Sequence, residues 1–348
     1  MRFRVWAPNA RRVEVDLGSE MIALVRSEAG VWDGLAAGAR AGTRYRYRLD
    51  GQEGFPDPYS RSQPEGPHGP SEVVDPSNFD WRDQAWPGIS IRGQAIYQLH
   101  IGAFTSAGTF DAVIPQLPRL KRLGVTAIEP LPVAEFPGRR NWGYDGVDLF
   151  APSHIYGGPT GLKRLVDAAH LHGLGVILDV VYNHLGPDGN YLRVYSPDYF
   201  TSRYETPWGE AINYDGPHSH WVRKFVLDNA RYWLAEYHVD GLRLDATHAI
   251  HDSSERHILA ELSETVAGEA VLIAETHEND VRYLRPVAEG GFGIDAVWAD
   301  DFHHALRRYL VGDREGYYAD FEGTLEEVAR TVRQGWLYQG QRSPRTGE

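Results

Sequence analysis

Near the N-terminus apolar and polar residues alternate with a period of two. Phe3 and Val5 alternate with Arg2 and Arg4, followed by Val13, Val15 and Leu17, and then by Tyr45, Tyr47 and Leu49 ahead of Asp50-Gly51. Such alternation builds half-buried strands, so residues 1–88 are expected to form a separate all-β module, a small immunoglobulin-like β-sandwich. Six prolines between Pro56 and Pro76 break the pattern. They predict an irregular, extended surface segment rather than a strand or helix.

After residue 94 the rhythm changes to short apolar runs separated by helical periods. Ala95–Ile101, Thr126–Glu129, Gly175–Val181, Gly241–Asp245, Val271–Glu275 and Asp295–Trp298 read as six strands. Between them Leu117, Leu120 and Leu123, then Leu162, Leu165, Val166 and Ala169, then Val222, Phe225, Val226, Trp233 and Leu234, then Ile258, Leu259, Leu262 and Val266 recur at helical spacing. Further helices are predicted near His303–Leu310 and Leu325–Val332. Pro115 and Pro118 fit their helix poorly, and Pro118 is expected to kink it or delay its start. Strand and helix in strict alternation predict a parallel sheet wrapped by helices, here a (β/α)8 TIM-type barrel over residues 89–348, incomplete after strand six.

Two of these strands end in an acid, Asp245 and Glu275. Side chains alternate along a strand, so Gly241, Arg243 and Asp245 share the interior face while Leu242 and Leu244 meet the covering helices. A strand-helix-strand crossover makes the two strands parallel, so both acids leave the same rim. Neighbouring strands lie about 4.7–4.9 Å apart, close to the roughly 5–5.5 Å carboxyl separation of a retaining glycosidase. The competing reading is a structural ion pair with Arg243.

Composition narrows the ligand class. The chain has 348 residues with a net charge of −13 and a pI near 5.6, which disfavours nucleic acid and anionic membranes as partners. Ten Trp, 19 Tyr and 15 His supply flat rings that can stack on sugars. Zero cysteines exclude disulfides, thiolate metal sites and a cysteine nucleophile. No apolar run approaches about 18 residues and no signal-peptide core follows Met1, so a cytoplasmic setting is the expectation. The long, aromatic, glycine-rich stretch from Leu185 to about Pro217 is expected to be a functional loop.

Four segments together resemble the α-amylase family of glycoside hydrolases: Trp142-Gly143-Tyr144-Asp145, Asp179-Val180-Val181-Tyr182-Asn183-His184, Gly241-Leu242-Arg243-Leu244-Asp245 and Ile273-Ala274-Glu275. Within it, Pro132–Gly138, Leu244–Ile250 and Ala299–Ala305 resemble its trehalose-releasing members. Phe3-Arg4-Val5-Trp6-Ala7-Pro8 looks like the sandwich, a glycan-binding type of module, that precedes the barrel in several members. The resemblance implies Asp245 as nucleophile and Glu275 as general acid and base. It implies Tyr144, His184, Arg243, Asp179 and His248 as substrate-binding or supporting residues, no cofactor, and maltooligosyltrehalose or a related α-glucan as partner. Asn183 resembles a calcium-binding position of some members, but without further ligands no metal is expected. His277, Glu278, His303 and His304 are undecided between substrate contact and packing, and adjacent residues such as His303 and His304 face different ways on a helix.

The expected reaction is hydrolysis of the α-1,4 bond next to a terminal trehalose. The rivals are α-1,6 debranching or branching by the same family and glucan binding without turnover. The family also places an aspartate preceded by histidine on the seventh strand, and no His-Asp pair follows the sixth strand here. The 348-residue chain alone is therefore expected to have little or no hydrolytic rate.

Overall fold

A computed structural model of the chain describes residues 1–27 and 29–342. Its N-terminal part is two facing antiparallel sheets. One carries Arg2–Trp6, Val31–Leu35 and Val25–Arg26; the other carries Met21–Ala23, Val13–Asp16, Arg44–Leu49 and Gly54–Phe55. The alternation that predicts these strands also sets their inward faces, and Phe3, Val5, Val13, Val15, Tyr45, Tyr47 and Leu49 are all buried.

The proline-rich segment departs from expectation, for it is a buried seam and not a surface strap. Ser71–Glu72 pairs as a strand with Arg44–Tyr45. Asp57 is buried and accepts from the Tyr45 hydroxyl at 2.8 Å. Tyr59 packs edge-on against Phe225 at 5.1 Å and at a tilt against Phe150 at 4.6 Å. Prolines reduce backbone donors and fix φ, so a segment without a regular ladder can still be buried where side chains such as Asp57 and Ser71 satisfy it.

The second part is a curled sheet of six parallel strands in sequence order: Ile96–Leu99, Ala127–Pro130, Gly175–Val180, Gly241–Leu244, Val271–Thr276 and Ala296–Ala299. Among the described residues it forms a half-barrel whose first and last strands pair on one side only. On its outer face Ile128, Val176, Leu178, Leu242, Leu244 and Leu272 join the main core. There they meet helices such as Gly158–Leu171, Ser219–Tyr237 and Ile258–Thr265. On its inner face Ala127, Ile177, Val271 and Ile273 form a small apolar floor with Ile89 and Ile91 against it. Above that floor the inward positions become polar.

The troublesome prolines explain themselves locally. The predicted helix is in three pieces, Phe110–Val113, a 3-10 turn Ile114–Gln116, and Leu117–Leu123. Pro115 and Pro118 each sit in the first positions of a new piece, where no amide partner is lost. The long loop also holds structure that its composition conceals, a hairpin of Phe200–Thr206 with Gly209–Ile212. Phe200–Thr206 has no fully buried residue and Gly209–Ile212 buries only Ala211 and Ile212, so neither strand carries the apolar run that marks a buried strand.

The strand that carries Asp245 is anchored at its other end by Asp240. There Oδ1 accepts from Trp86 Nε1 at 2.6 Å, while Oδ2 accepts from the Val176 amide at 2.8 Å and faces His170 Nε2 at 3.0 Å. His170 Nδ1 lies 2.9 Å from Asp83 Oδ2, which also meets His238 Nδ1 at 2.9 Å. Burial opposes charge on His170, but its bonds to Asp240 and Asp83 outweigh it and raise the pKa. The two imidazoles thus tie the segment around Asp83 to the base of the sheet.

Candidate active site

Strand register brings the acids together. Leu244 pairs with Ala274, so Asp245 and Glu275 are next in line on adjacent strands, both on the inward face. Asp179 pairs with Arg243 one step below. Arg243 Nη1 donates to Asp179 Oδ1 and Oδ2 at 2.9 and 3.0 Å and to Asp245 Oδ1 at 2.9 Å. Its Nη2 lies 3.7 Å from Glu275 Oε2. One guanidinium is therefore shared by three carboxyl groups.

The backbone turns sharply just past Asp245. Ala246 has φ of 39°, a left-handed conformation that a residue with a Cβ rarely adopts, and its amide donates to Glu275 Oε2 at 2.7 Å. That bond holds one oxygen of Glu275 beside the Asp245 strand. Burial nevertheless pushes the Glu275 pKa up, against the pull of Arg243 and the Ala246 amide. Asp179 is almost fully buried and its pKa is pushed up to about 8 by that burial, with Arg243 acting against it and Asp245 adding to it. The arrangement sets a carboxyl with a raised pKa, Glu275, next to one that accepts from Arg243 and from Asn183 Nδ2 at 3.1 Å, Asp245.

The loop that carries Tyr144 is built around Asn141, whose Oδ1 accepts from the Gly143 amide at 2.7 Å. Gly143 has φ of 103°, and a Cβ there would lie 2.3 Å from the Pro132 carbonyl, so only glycine fits. This bend directs the Tyr144 hydroxyl to Asp179 Oδ2 at 2.9 Å. His184 stacks on Trp208 with ring centroids 4.6 Å apart. Its Nδ1 faces Asn183 Oδ1 at 2.8 Å and its Nε2 faces the Tyr144 carbonyl at 2.9 Å. Burial, the largest effect, lowers its pKa, against the Asp245 charge, the Tyr144 carbonyl and Asp145, which favour the protonated ring.

The outlying candidates divide. His248, on the turn Thr247–Ala249, packs on His277 at 4.1 Å, and burial and the neighbouring imidazole lower its pKa. His277 and His304 line a cavity of about 640 Å³ with Asp300, Asp301 and Tyr338. His304 stacks on Tyr317 at 5.0 Å, whereas His303 is exposed, so the two do face different ways. Glu278 accepts from the Tyr283 hydroxyl at 2.9 Å.

Sequence reasoning gave one member of this cluster, Asn183, a different role and passed over another, Glu129. Asn183 bridges Asp245 and His184, a role visible only once the strands are paired. Glu129, wholly buried on the inward face of its strand, is an acid near a strand end like Asp245 and Glu275, and that signal was available to single it out. Among the described residues no cluster of three or more His, Asp or Glu side chains has the geometry to hold a metal ion.

Comparison with known proteins places this geometry. Residues 55–206 match the α-amylase catalytic domain, and residues 1–65 match carbohydrate-binding module 48, the isoamylase N-terminal domain. Malto-oligosyltrehalose trehalohydrolase of Saccharolobus solfataricus is 47% identical over 98% of this chain and 61% of its own length. The protein of the same name from Deinococcus radiodurans is 47% identical over 98% of this chain and 56% of its own. The chain thus spans about three fifths of the length of these relatives. The crystal structure of a putative α-amylase from Salmonella typhimurium is 41% identical, with a TM-score of 0.92 over 100% of this chain and 60% of that one. No helix among the described residues is long and apolar enough to cross a membrane. By its sequence relatives, its sandwich and half-barrel, and its two inward acids on adjacent strands, the chain belongs to the α-amylase family of glycoside hydrolases.

Proposed function

We propose that this chain carries the catalytic acids of a retaining glycoside hydrolase that cleaves the α-1,4-glucosidic bond next to the terminal trehalose of maltooligosyltrehalose and releases trehalose. The observation that carries the reading is the pair Asp245 and Glu275, level on adjacent strands and joined through Arg243 and the Ala246 amide. Asp245 attacks the anomeric carbon as the bond to the leaving oxygen breaks, and Glu275 gives that oxygen its proton. Glu275, now a carboxylate, takes a proton from water as the water oxygen attacks the same carbon and frees Asp245. Arg243 donates to the nucleophile, while burial raises the Glu275 pKa in the direction a proton donor requires.

Tyr144 and His184 border the acids and would position the glucosyl ring, Tyr144 by its ring face and His184 by a ring nitrogen. Asp179 is a partner of Arg243 and Tyr144. His248 lies where the leaving trehalose unit would pass. The sandwich, residues 1–88, is read as a glycan-binding module in front of the barrel, residues 89–348, and the setting as cytoplasmic. The trehalose specificity draws its support from the names of the relatives.

The test incubates the chain, and a form longer by roughly one or two hundred residues, with maltooligosyltrehalose and with a branched glucan. Free trehalose from the first substrate supports the reading. Linear chains from the second would replace it with α-1,6 debranching. Glucan affinity without turnover in the longer form would replace it with a binding protein. Comparable rates from both forms would overturn the expectation that the shorter chain has little or none.

A further inference from the structure

The inward face below the acids is arranged in layers. Gln98 pairs with Glu129, and extending the register from Ile128 and Val176 puts Glu129 beside Ile177, which pairs with Gly241. Asp179 and Arg243 form the next layer up, followed by Asp245 and Glu275. Each layer is two residues, about 6.6 Å, along the strands. Glu129 is therefore a carboxyl on the same inward face, one layer below Arg243 and two strands away, close enough for the Arg243 charge to act on it.

Its environment is unusual for an acid. It has no exposed surface, and only Oε1 has a partner among the described residues, Gln98 Nε2 at 2.9 Å. Its Oε2 is buried and unpartnered, and so is Nε of Arg243, the one guanidinium nitrogen not turned towards the acids above. Burial pushes the Glu129 pKa up to about 7, and Arg243 is the charged group that pulls it back; Asp179 in turn feels Glu129 as a neighbouring negative charge. An acceptor and a donor that are both buried and both unmatched are costly, and one water between them removes that cost.

We infer that Glu129 is a positioning residue for the hydrolytic site, holding Arg243 from below through a single buried water between Glu129 Oε2 and Arg243 Nε. The consequence is directional. With Nε fixed, the planar guanidinium turns its Nη1 and Nη2 edge to Asp179, Asp245 and Glu275. Without it, Arg243 can rotate, and the nucleophile loses its fixed counter-charge. Glu129 touches neither substrate nor reacting atoms. Its role rests on the glycosidase reading, but its hold on Arg243 can be measured without any turnover.

The first measurement is exchange of the Arg243 Nε proton in the 348-residue chain labelled with ¹⁵N-arginine, the signal being assigned by its loss in Arg243→Lys. Glu129→Gln keeps the shape and the Gln98 contact but replaces the accepting Oε2 with a donating amide nitrogen, and should speed exchange about tenfold or broaden the signal away. Exchange within twofold of the unsubstituted chain overturns the inference. The second is a crystal structure of the unsubstituted chain, which needs no variant to fold: one ordered water within about 3.2 Å of both atoms is expected, and a dry gap or a direct Glu129 to Arg243 bond overturns the bridging role. In the hydrolytically active form, Glu129→Gln should lower kcat about tenfold with KM within twofold, and an unchanged kcat overturns the positioning role. Failure of the unsubstituted active form to hydrolyse any α-glucan would sink the glycosidase reading and leave the exchange and water results standing.

Discussion

The strand Gly241–Leu244 has an aspartate at each end, and the two are treated in opposite ways. Asp240, at the base, meets Trp86, the Val176 amide and His170, and its neighbour Asp83 is held by His170 and His238. Burial alone would raise the Asp83 pKa, but the bonds from the two imidazoles bring it below the usual carboxylate range. At the rim, Asp245 shares the single guanidinium of Arg243 with Asp179 and Glu275, above the buried Glu129. There burial prevails, and Glu275, Asp179 and Glu129 are all pushed up. Identical chemical groups become ballast where donors match acids, and become reactive where acids outnumber donors.

The sharpest way to break the comparison is to neutralise one acid at each end. Glu275→Gln in the hydrolytically active form should cut the rate on maltooligosyltrehalose by on the order of 10³-fold or more, since the leaving oxygen then receives no proton. Unfolding should be little changed, because one of several mutually repelling carboxyls has been removed. Initial rates together with urea denaturation check both halves, and a loss of stability in step with activity would make Glu275 as structural as Asp240.

Arg243→Met tests the shortage of cations directly. It leaves Asp179 and Asp245 buried without their counter-charge, a change that costs about 3–5 kcal/mol when one partner of a buried pair is removed. Adding Asp179→Asn should restore at least ~1 kcal/mol of that loss in a double-mutant cycle. If the double variant is no more stable than the single one, the acids at the rim do not depend on Arg243.

The contrast between the two ends also marks what the sequence could and could not reveal. Strands such as Gly175–Val180 and Val271–Thr276 are legible because an apolar run bounded by glycine or an acid has few other uses, and the rim acids are legible because a charge ending such a run must find polar partners at the strand end. The base cluster is invisible because Asp83, His170 and the His238–Asp240 turn come from three segments far apart in sequence, joined only by side-chain bonds at the lower edge of the sheet. The seam between Pro56 and Pro76 was misread for a related reason. Its burial comes from Asp57 and Tyr59 reaching Tyr45 and Phe225, contacts that leave no period in the chain. Glu129 escaped because one inward acid in a strand ending Glu129-Pro130 looks like a boundary rather than part of a layered interior.

Asp240→Asn should have a smaller effect than Arg243→Met. The amide keeps an acceptor for Trp86 or the Val176 amide but faces His170 with a neutral group, so a cost of about 1–3 kcal/mol is expected. The dependence of hydrolysis on pH should be unchanged, because Asp240 lies at the opposite end of the strand from Glu275. A shifted pH profile would mean that the two ends are electrostatically joined and that the comparison fails.

The smallest expected effect is a slope. His170 has a raised pKa in the folded chain, first opposed by burial and then more than restored by Asp240 and Asp83. A group bound more tightly to its proton when folded adds stability that is fully present below its unfolded pKa of about 6.5 and is lost as pH rises through the higher folded value. Denaturation midpoints should therefore fall as pH rises from about 6.5 into the alkaline range. His170→Gln, which can still donate to one aspartate, should remove this part of the fall while lowering stability at pH 6. The rim acids add a slope of the same sign in a lower window: Glu129, protonated in the folded chain up to about 7 but normally ionised above 4.5, favours folding less as pH climbs between those values. Glu129→Gln should remove its share of the lower slope, leaving that of Asp179 and Glu275, and His170→Gln should remove its share of the upper one. Midpoints measured across both windows separate the two ends of the strand, and a single variant that flattens both would show that they titrate as one network.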